Sequence, residues 1–124
     1  MKLVIIESPY FNKNNNIQNY NIQYARECMK ECLYNNEAPY LSHLLYTQIL
    51  DDNIPEERIF GINAGFEFRN QKLINTTIVY TDLGLSQGMI YGIDNAKQNN
   101  SIIEYRSLKN FAEFHRKYKY LLND

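Results

Sequence analysis

The residues best suited to chemistry form one short run, Asp82-Leu83-Gly84-Leu85-Ser86-Gln87-Gly88-Met89, directly after the β-branched stretch Thr76 to Tyr80. A strand that turns through glycine into a helix leaves backbone N–H groups uncovered at the helix start. Ser86 adds a hydroxyl beside them, and such a terminus holds phosphate or another anion. Gly84 as a turn, Ser86 as a cap and Gly88 as a packing position explain the same residues without a ligand, and both readings stand at this point. The spacing is not a dinucleotide fingerprint, because Gly-x-Gly-x-x-Gly is absent. His43 reads first as a hydrogen-bonded structural residue, made a candidate by its place at a strand end. His115 reads as solvated. Cys28 and Cys32, four apart, share one face of a helix and read as small buried apolar residues rather than as a disulfide or zinc pair. No Cys/His cluster has metal spacing, no Gly-x-Ser-x-Gly elbow occurs, and Asp51, Asp52, Glu56 and Glu57 are explained by a loop and a helix start. No metal and no cofactor are expected.

The elements that must position these residues alternate. Lys2 to Glu7 reads as a buried strand stopped at Ser8-Pro9. Tyr10 to Tyr20 reads as a polar loop, with Asn21 capping a helix whose apolar positions are Ile22, Ala25, Met29, Cys32 and Leu33. Ala38 to Leu41 is a second strand, and His43 to Leu50 has room for a turn or two of helix. Pro55, Glu56 and Glu57 start a helix to about Phe68, with Ile59, Ile62 and Phe66 as its buried stripe. Thr76 to Tyr80 is a third strand, Ser86 caps a third helix, and Ile102 to Tyr105 is a fourth strand. A terminal helix is spaced by Leu108, Phe111, Phe114, Tyr118 and Leu121. The expectation is an α/β fold: a flavodoxin- or Rossmann-like parallel sheet of about four to five strands flanked by helices, plus a C-terminal helix. The length fits one domain over 1–124, with 107–124 as the appended helix.

In such sheets the ligand sits beyond the carboxyl ends of the strands, where strand order reverses. That rule selects Ser8 and Tyr10, then Ser42 and His43, then Thr81, Asp82, Gly84, Ser86 and Gly88, and lastly Arg106. A net charge of -1 gives no field to hold a polyanion, so nucleic acid is not the expected partner. No apolar run approaches a membrane span or a signal peptide, and a cytoplasmic location is expected, the host cytoplasm if the source is viral.

The combination Ser8-Pro9-Tyr10, Asn21-x-x-Tyr24-Ala25-Arg26, Ala38-Pro39-Tyr40-x-Ser42-His43, Leu50-Asp51-Asp52-Asn53-Ile54-Pro55-Glu56-Glu57-Arg58 with Gly61-Ile62, and Asp82-x-Gly84-x-Ser86-x-Gly88-Met89 resembles the nucleoside 2-deoxyribosyltransferase-like superfamily, closest to a small branch common in bacteria and phages. The resemblance covers about residues 2 to 107. It implies a flavodoxin-like sheet, a cleft for a nucleoside or nucleotide, and a homo-oligomer whose neighbours complete the pockets. It also implies a phosphate-contacting turn at Ser86 and Gly88, a base- or sugar-holding aspartate near Asp82, and a ligand contact near Tyr10. In the enzymes of that superfamily a glutamate on the following helix attacks the sugar; the matching position here is Gly92.

Asp94 cannot replace that glutamate, since two residues turn about 200° around a helix. Only Glu7 or Asp82 could then act as a catalytic carboxylate. The expectation is therefore a non-enzymatic binder of a nucleotide-derived small molecule, held by Ser8, Tyr10, His43, Asp82, Gly84, Ser86, Gly88, Met89, Gly92 and Arg106. Its job would be sequestration of an immune signal such as an ADP-ribose derivative, as a phage counter-defence. The alternative is an N-glycosidase or deoxyribosyltransferase using another carboxylate. Gly92→Glu is expected to suit the helix, because glutamate favours helix over glycine. Either the terminal helix or the one from Pro55 to Phe68 is expected in an oligomer interface, the first because of the stripe Phe111, Phe114 and Tyr118.

Overall fold

A computed structural model describes residues 1–123. Four strands, β1 (Lys2–Glu7), β2 (Glu37–Tyr40), β3 (Thr76–Tyr80) and β4 (Ile102–Arg106), form an all-parallel sheet in the order β2-β1-β3-β4. Four helices connect and flank them: α1 (Asn15–Tyr34), α2 (Pro55–Asn70), α3 (Gln87–Gln98) and α4 (Phe111–Tyr118). Short 3-10 turns at Ser42–Leu44 and Tyr46–Gln48 lead into α2, and another at Lys119–Leu122 follows α4. The α/β expectation holds, with four strands. Because the chain runs from β1 to one side and from β2 back across to β3, the topological switch point lies between β1 and β3.

Alternation along the strands sends side chains to two different layers. Val4, Ile6, Ile78 and Tyr80 pack under α1 and α4 with Tyr24, Ala25, Cys28, Cys32 and Phe114. On the other face Val79 packs with Met89 and Ile93 of α3. The stripe Phe111, Phe114 and Tyr118 is absorbed within the chain: the Phe114 ring packs at a tilt 5.2 Å from Tyr20 and edge-on 5.7 Å from Tyr24. It therefore gives no reason to place α4 in an oligomer interface.

Three local expectations are corrected. α1 starts at Asn15, not after Asn21, because the Asn14 side chain accepts from the N–H groups of Asn16 and Ile17 and caps the helix. Asn21 is buried instead and donates to the Tyr10 carbonyl at 3.1 Å, pinning the β1–α1 loop. The buried residues of α2 are Gly65 and Arg69, while Ile59 and Ile62 are 56% and 38% exposed, since that helix lies on a polar pair rather than an apolar stripe. His115 is not free in solvent: its Nδ1 shares a 2.8 Å hydrogen bond with the Tyr20 hydroxyl. No helix among the described residues is long and apolar enough to cross a membrane.

Candidate functional site at the carboxyl edge of the sheet

Three groups of residues meet at the carboxyl edge. At the ends of β1 and β2, Tyr10 stacks on His43 with ring centroids 4.9 Å apart and planes at 29°. The His43 Nε2 donates to the Ser8 carbonyl at 3.1 Å, which fixes the proton on that nitrogen and leaves Nδ1 buried without a partner among the described residues. Ser8 Oγ lies 3.4 Å from the same nitrogen, but a nitrogen that donates to a carbonyl cannot also serve that hydroxyl as a base. Burial lowers His43 to a pKa of about 4, so the ring is neutral near pH 7 and backs the Tyr10 ring.

The second group is the turn into α3. Gly84 has φ +81°, a left-handed conformation that other residues adopt at a cost, and an added Cβ there would meet nothing within 4 Å. Ser86 caps the helix as the sequence predicts: its Oγ accepts from the Met89 N–H at 3.2 Å, while the Met89 sulfur takes the Ser86 N–H at 3.5 Å. Met89 is buried and acts by packing. The N–H groups of Gln87 and Gly88, at the first two helical positions, have no intrahelical acceptor. Gly88 has open space in front of it, Ser86 Oγ being the nearest atom at 4.0 Å.

The third group was only half visible in the sequence. Glu7, at the end of β1, points to the α3 side, and its Oε2 accepts from Arg69 Nη2 at 2.7 Å. Arg69 is 2% exposed and also donates to Thr77 Oγ1 (3.0 Å) and Asn95 Oδ1 (3.3 Å), which completes a buried polar core between α2, α3 and the sheet. The Glu7 carboxylate rests directly on Gly92, in the space where a side chain at that position would begin. Burial holds the carboxyl above the ordinary carboxylate range although Arg69 pulls it back. Gly92→Glu therefore does not suit this helix, contrary to the helix-propensity argument, because its Cβ would collide with Glu7. Arg69, Thr77 and Asn95 carried no legible signal in the sequence, because Arg69 is buried against a partner 62 residues away.

Two nominated residues are occupied elsewhere. Asp82 Oδ2 accepts from the Tyr24 hydroxyl (2.7 Å) and from the Leu108 N–H (2.9 Å), so it ties β3 to α1 and to the segment before α4. Arg106 reaches the α1 side, where Glu37 takes both of its terminal nitrogens (2.9 and 3.0 Å) and Glu104 pairs with it at 2.6 Å. Both cysteines are buried and free, and burial raises their thiols, Cys32 to about 11, so neither supplies a thiolate.

A cleft of about 730 Å³ opens beside the first group, between the β1–α1 loop and the segment before α2. Tyr10 and Phe11 give it aromatic walls, and Lys13 is outnumbered by Asp51, Asp52 and Glu57. A second hollow, of about 480 Å³, lies between α1 and α4 with Glu27, Lys30 and Lys117 in its wall; the carboxyl-edge residues described above are not among its lining. Among the described residues no group of three or more His, Cys, Asp or Glu is gathered to hold a metal.

Fold and edge together define a parallel α/β protein with an aromatic shelf, an open helix terminus and a half-buried carboxylate at its switch point. The chain belongs to the family described as "Domain of unknown function (DUF7768)", whose profile matches residues 2–106, all four strands and the helices α1 to α3. No curated protein and no solved structure gives a significant match.

Proposed function

We propose that this protein binds a nucleoside- or nucleotide-derived small molecule at the carboxyl edge of its sheet and does not turn it over. The observation that carries the reading is the open start of α3, where Gly84 and Gly88 clear the approach to N–H groups that have no intrahelical acceptor, beside the switch point. The Tyr10–His43 stack supports it as a neutral aromatic surface for a base. So does Gly92: α3 carries no carboxylate at the position that the resemblance to deoxyribosyltransferases gives to the attacking glutamate. Sequestration of a nucleotide signal, as in phage counter-defence, is the role to which this reading extends.

One observation favours a second reading, an N-glycosidase. The Glu7 carboxylate occupies the space over Gly92, so a carboxylate reaches that point from β1 rather than from α3. Incubating the protein with deoxynucleosides, their 5′-phosphates, NAD and ADP-ribose and separating the products decides between them. The binding reading expects recovery of every compound intact; release of free base that stops with Glu7→Gln establishes the enzyme. We also propose that a second copy packs on α2, where Ile59 and Phe60 are 56% and 58% exposed.

A further inference from the structure

We propose that Glu7 is the group that recognises the sugar of the ligand, with Arg69 holding its carboxylate in place and Gly92 giving it room. This rests on the binding reading above. Glu7 uses one oxygen internally: Oε2 is held by Arg69, while Oε1 accepts no hydrogen bond among the described residues. The pair is poorly solvated, for the Glu7 side chain is 14% exposed and that of Arg69 1%. An acceptor oxygen in so poorly solvated a place attracts hydroxyl donors and repels phosphate.

The position suits a sugar. Glu7 ends β1, which neighbours β3 at the switch point. Its carboxylate touches α3 at Gly92, five residues beyond Gln87, a distance of about 7.5 Å along the helix. An anion at the helix start and a hydroxyl at Glu7 would thus lie about one pentose 5-phosphate apart. The hydroxyl end falls on the carboxylate, and the phosphate end falls on the N–H groups of the helix start.

The three parts of this arrangement depend on one another. Without Gly92 the carboxylate has no place over the helix, and without Arg69 it is a buried charge with no partner. Arg69 is itself oriented by Thr77 and Asn95, so the carboxylate is fixed from behind by groups on both β3 and α3.

Calorimetric titration with ribose 5-phosphate and with inorganic phosphate tests the assignment. The wild type is expected to bind ribose 5-phosphate more tightly than phosphate. Glu7→Gln is expected to weaken ribose 5-phosphate about tenfold and leave phosphate unchanged. Gly92→Ala, which keeps the charge and displaces it, is expected to do the same. In the wild type, the carboxyl ¹³C resonance of Glu7 should move on adding ribose 5-phosphate and stay still with phosphate, which keeps the test open if either variant fails to fold. If ribose 5-phosphate binds both variants as it binds the wild type, or the resonance does not move, the role of Glu7 falls while the binding reading stands. If the wild type binds neither compound, both fall.

Discussion

Replacing Gly92 with alanine reverses the usual sign of that substitution. In a helix interior, alanine is favoured over glycine by about 0.8–1.0 kcal/mol. Here the added methyl group falls on the Glu7 carboxylate, which Arg69 holds at 2.7 Å, so the carboxylate must swing away. That leaves a guanidinium with a side-chain exposure of 1% facing no counter-charge, a change that typically costs about 3–5 kcal/mol. The propensity gain offsets about one of these, and the net loss is about 2–4 kcal/mol, a fall in Tm on the order of 10 °C for a chain of this size. Urea denaturation of Gly92→Ala alone and in a Glu7→Ala background measures the coupling. With the carboxylate removed, the added methyl group has room, so Gly92→Ala in that background should cost nothing or stabilise slightly. A Gly92→Ala protein as stable as the wild type, or an equal cost in both backgrounds, would refute the placement of Glu7.

Other outcomes follow from the same contacts. His43 has a folded pKa of about 4 against 6.5 when solvated, so between these values the unfolded chain binds a proton that the folded chain does not. Stability is full above about pH 6.5 and declines as pH falls towards 4, by up to about 3 kcal/mol; His43→Phe should flatten that part of the profile, and an unchanged decline in the variant would contradict it. Asp82→Asn should destabilise by about 1.5–3 kcal/mol and speed amide exchange at Leu108, because the carboxylate joins Tyr24 to that N–H. In sedimentation the protein should run as more than one copy, and Phe60→Glu should return it to a monomer; a monomeric wild type at micromolar concentration would remove the second copy from α2.

Much of the fold was legible because its signals are local. β3 was read with its observed bounds from a run of β-branched residues, and the Ser86 cap from its place between a turn and an apolar helix face. The start of α1 was not, because three successive asparagines look like a loop until the first of them is seen to cap. The inner face of α2 was misread for a different reason: Arg69 is buried by a partner 62 residues away, and no local pattern announces such a pair. The candidate site shows the same division. Gly84 as a turn and Ser86 as a cap were legible by type and spacing, whereas Asp82 and Arg106 carry the right charge at the right strand ends but are engaged by Tyr24 and Glu37. Residue type at a strand end shows what chemistry is present; only the packing shows whether that chemistry is already spent.

The central claim is that the carboxyl edge holds an intact nucleotide-derived molecule. Native mass spectrometry of the protein purified without added ligand, followed by denaturation and mass analysis of what is released, tests it most directly. The expected result is a released species with base, sugar and phosphate still joined, whose occupancy falls with Glu7→Gln and with Gly92→Ala. Recovery of a free base and a separate sugar phosphate, or of no small molecule even after incubation with the nucleotide panel, would contradict it.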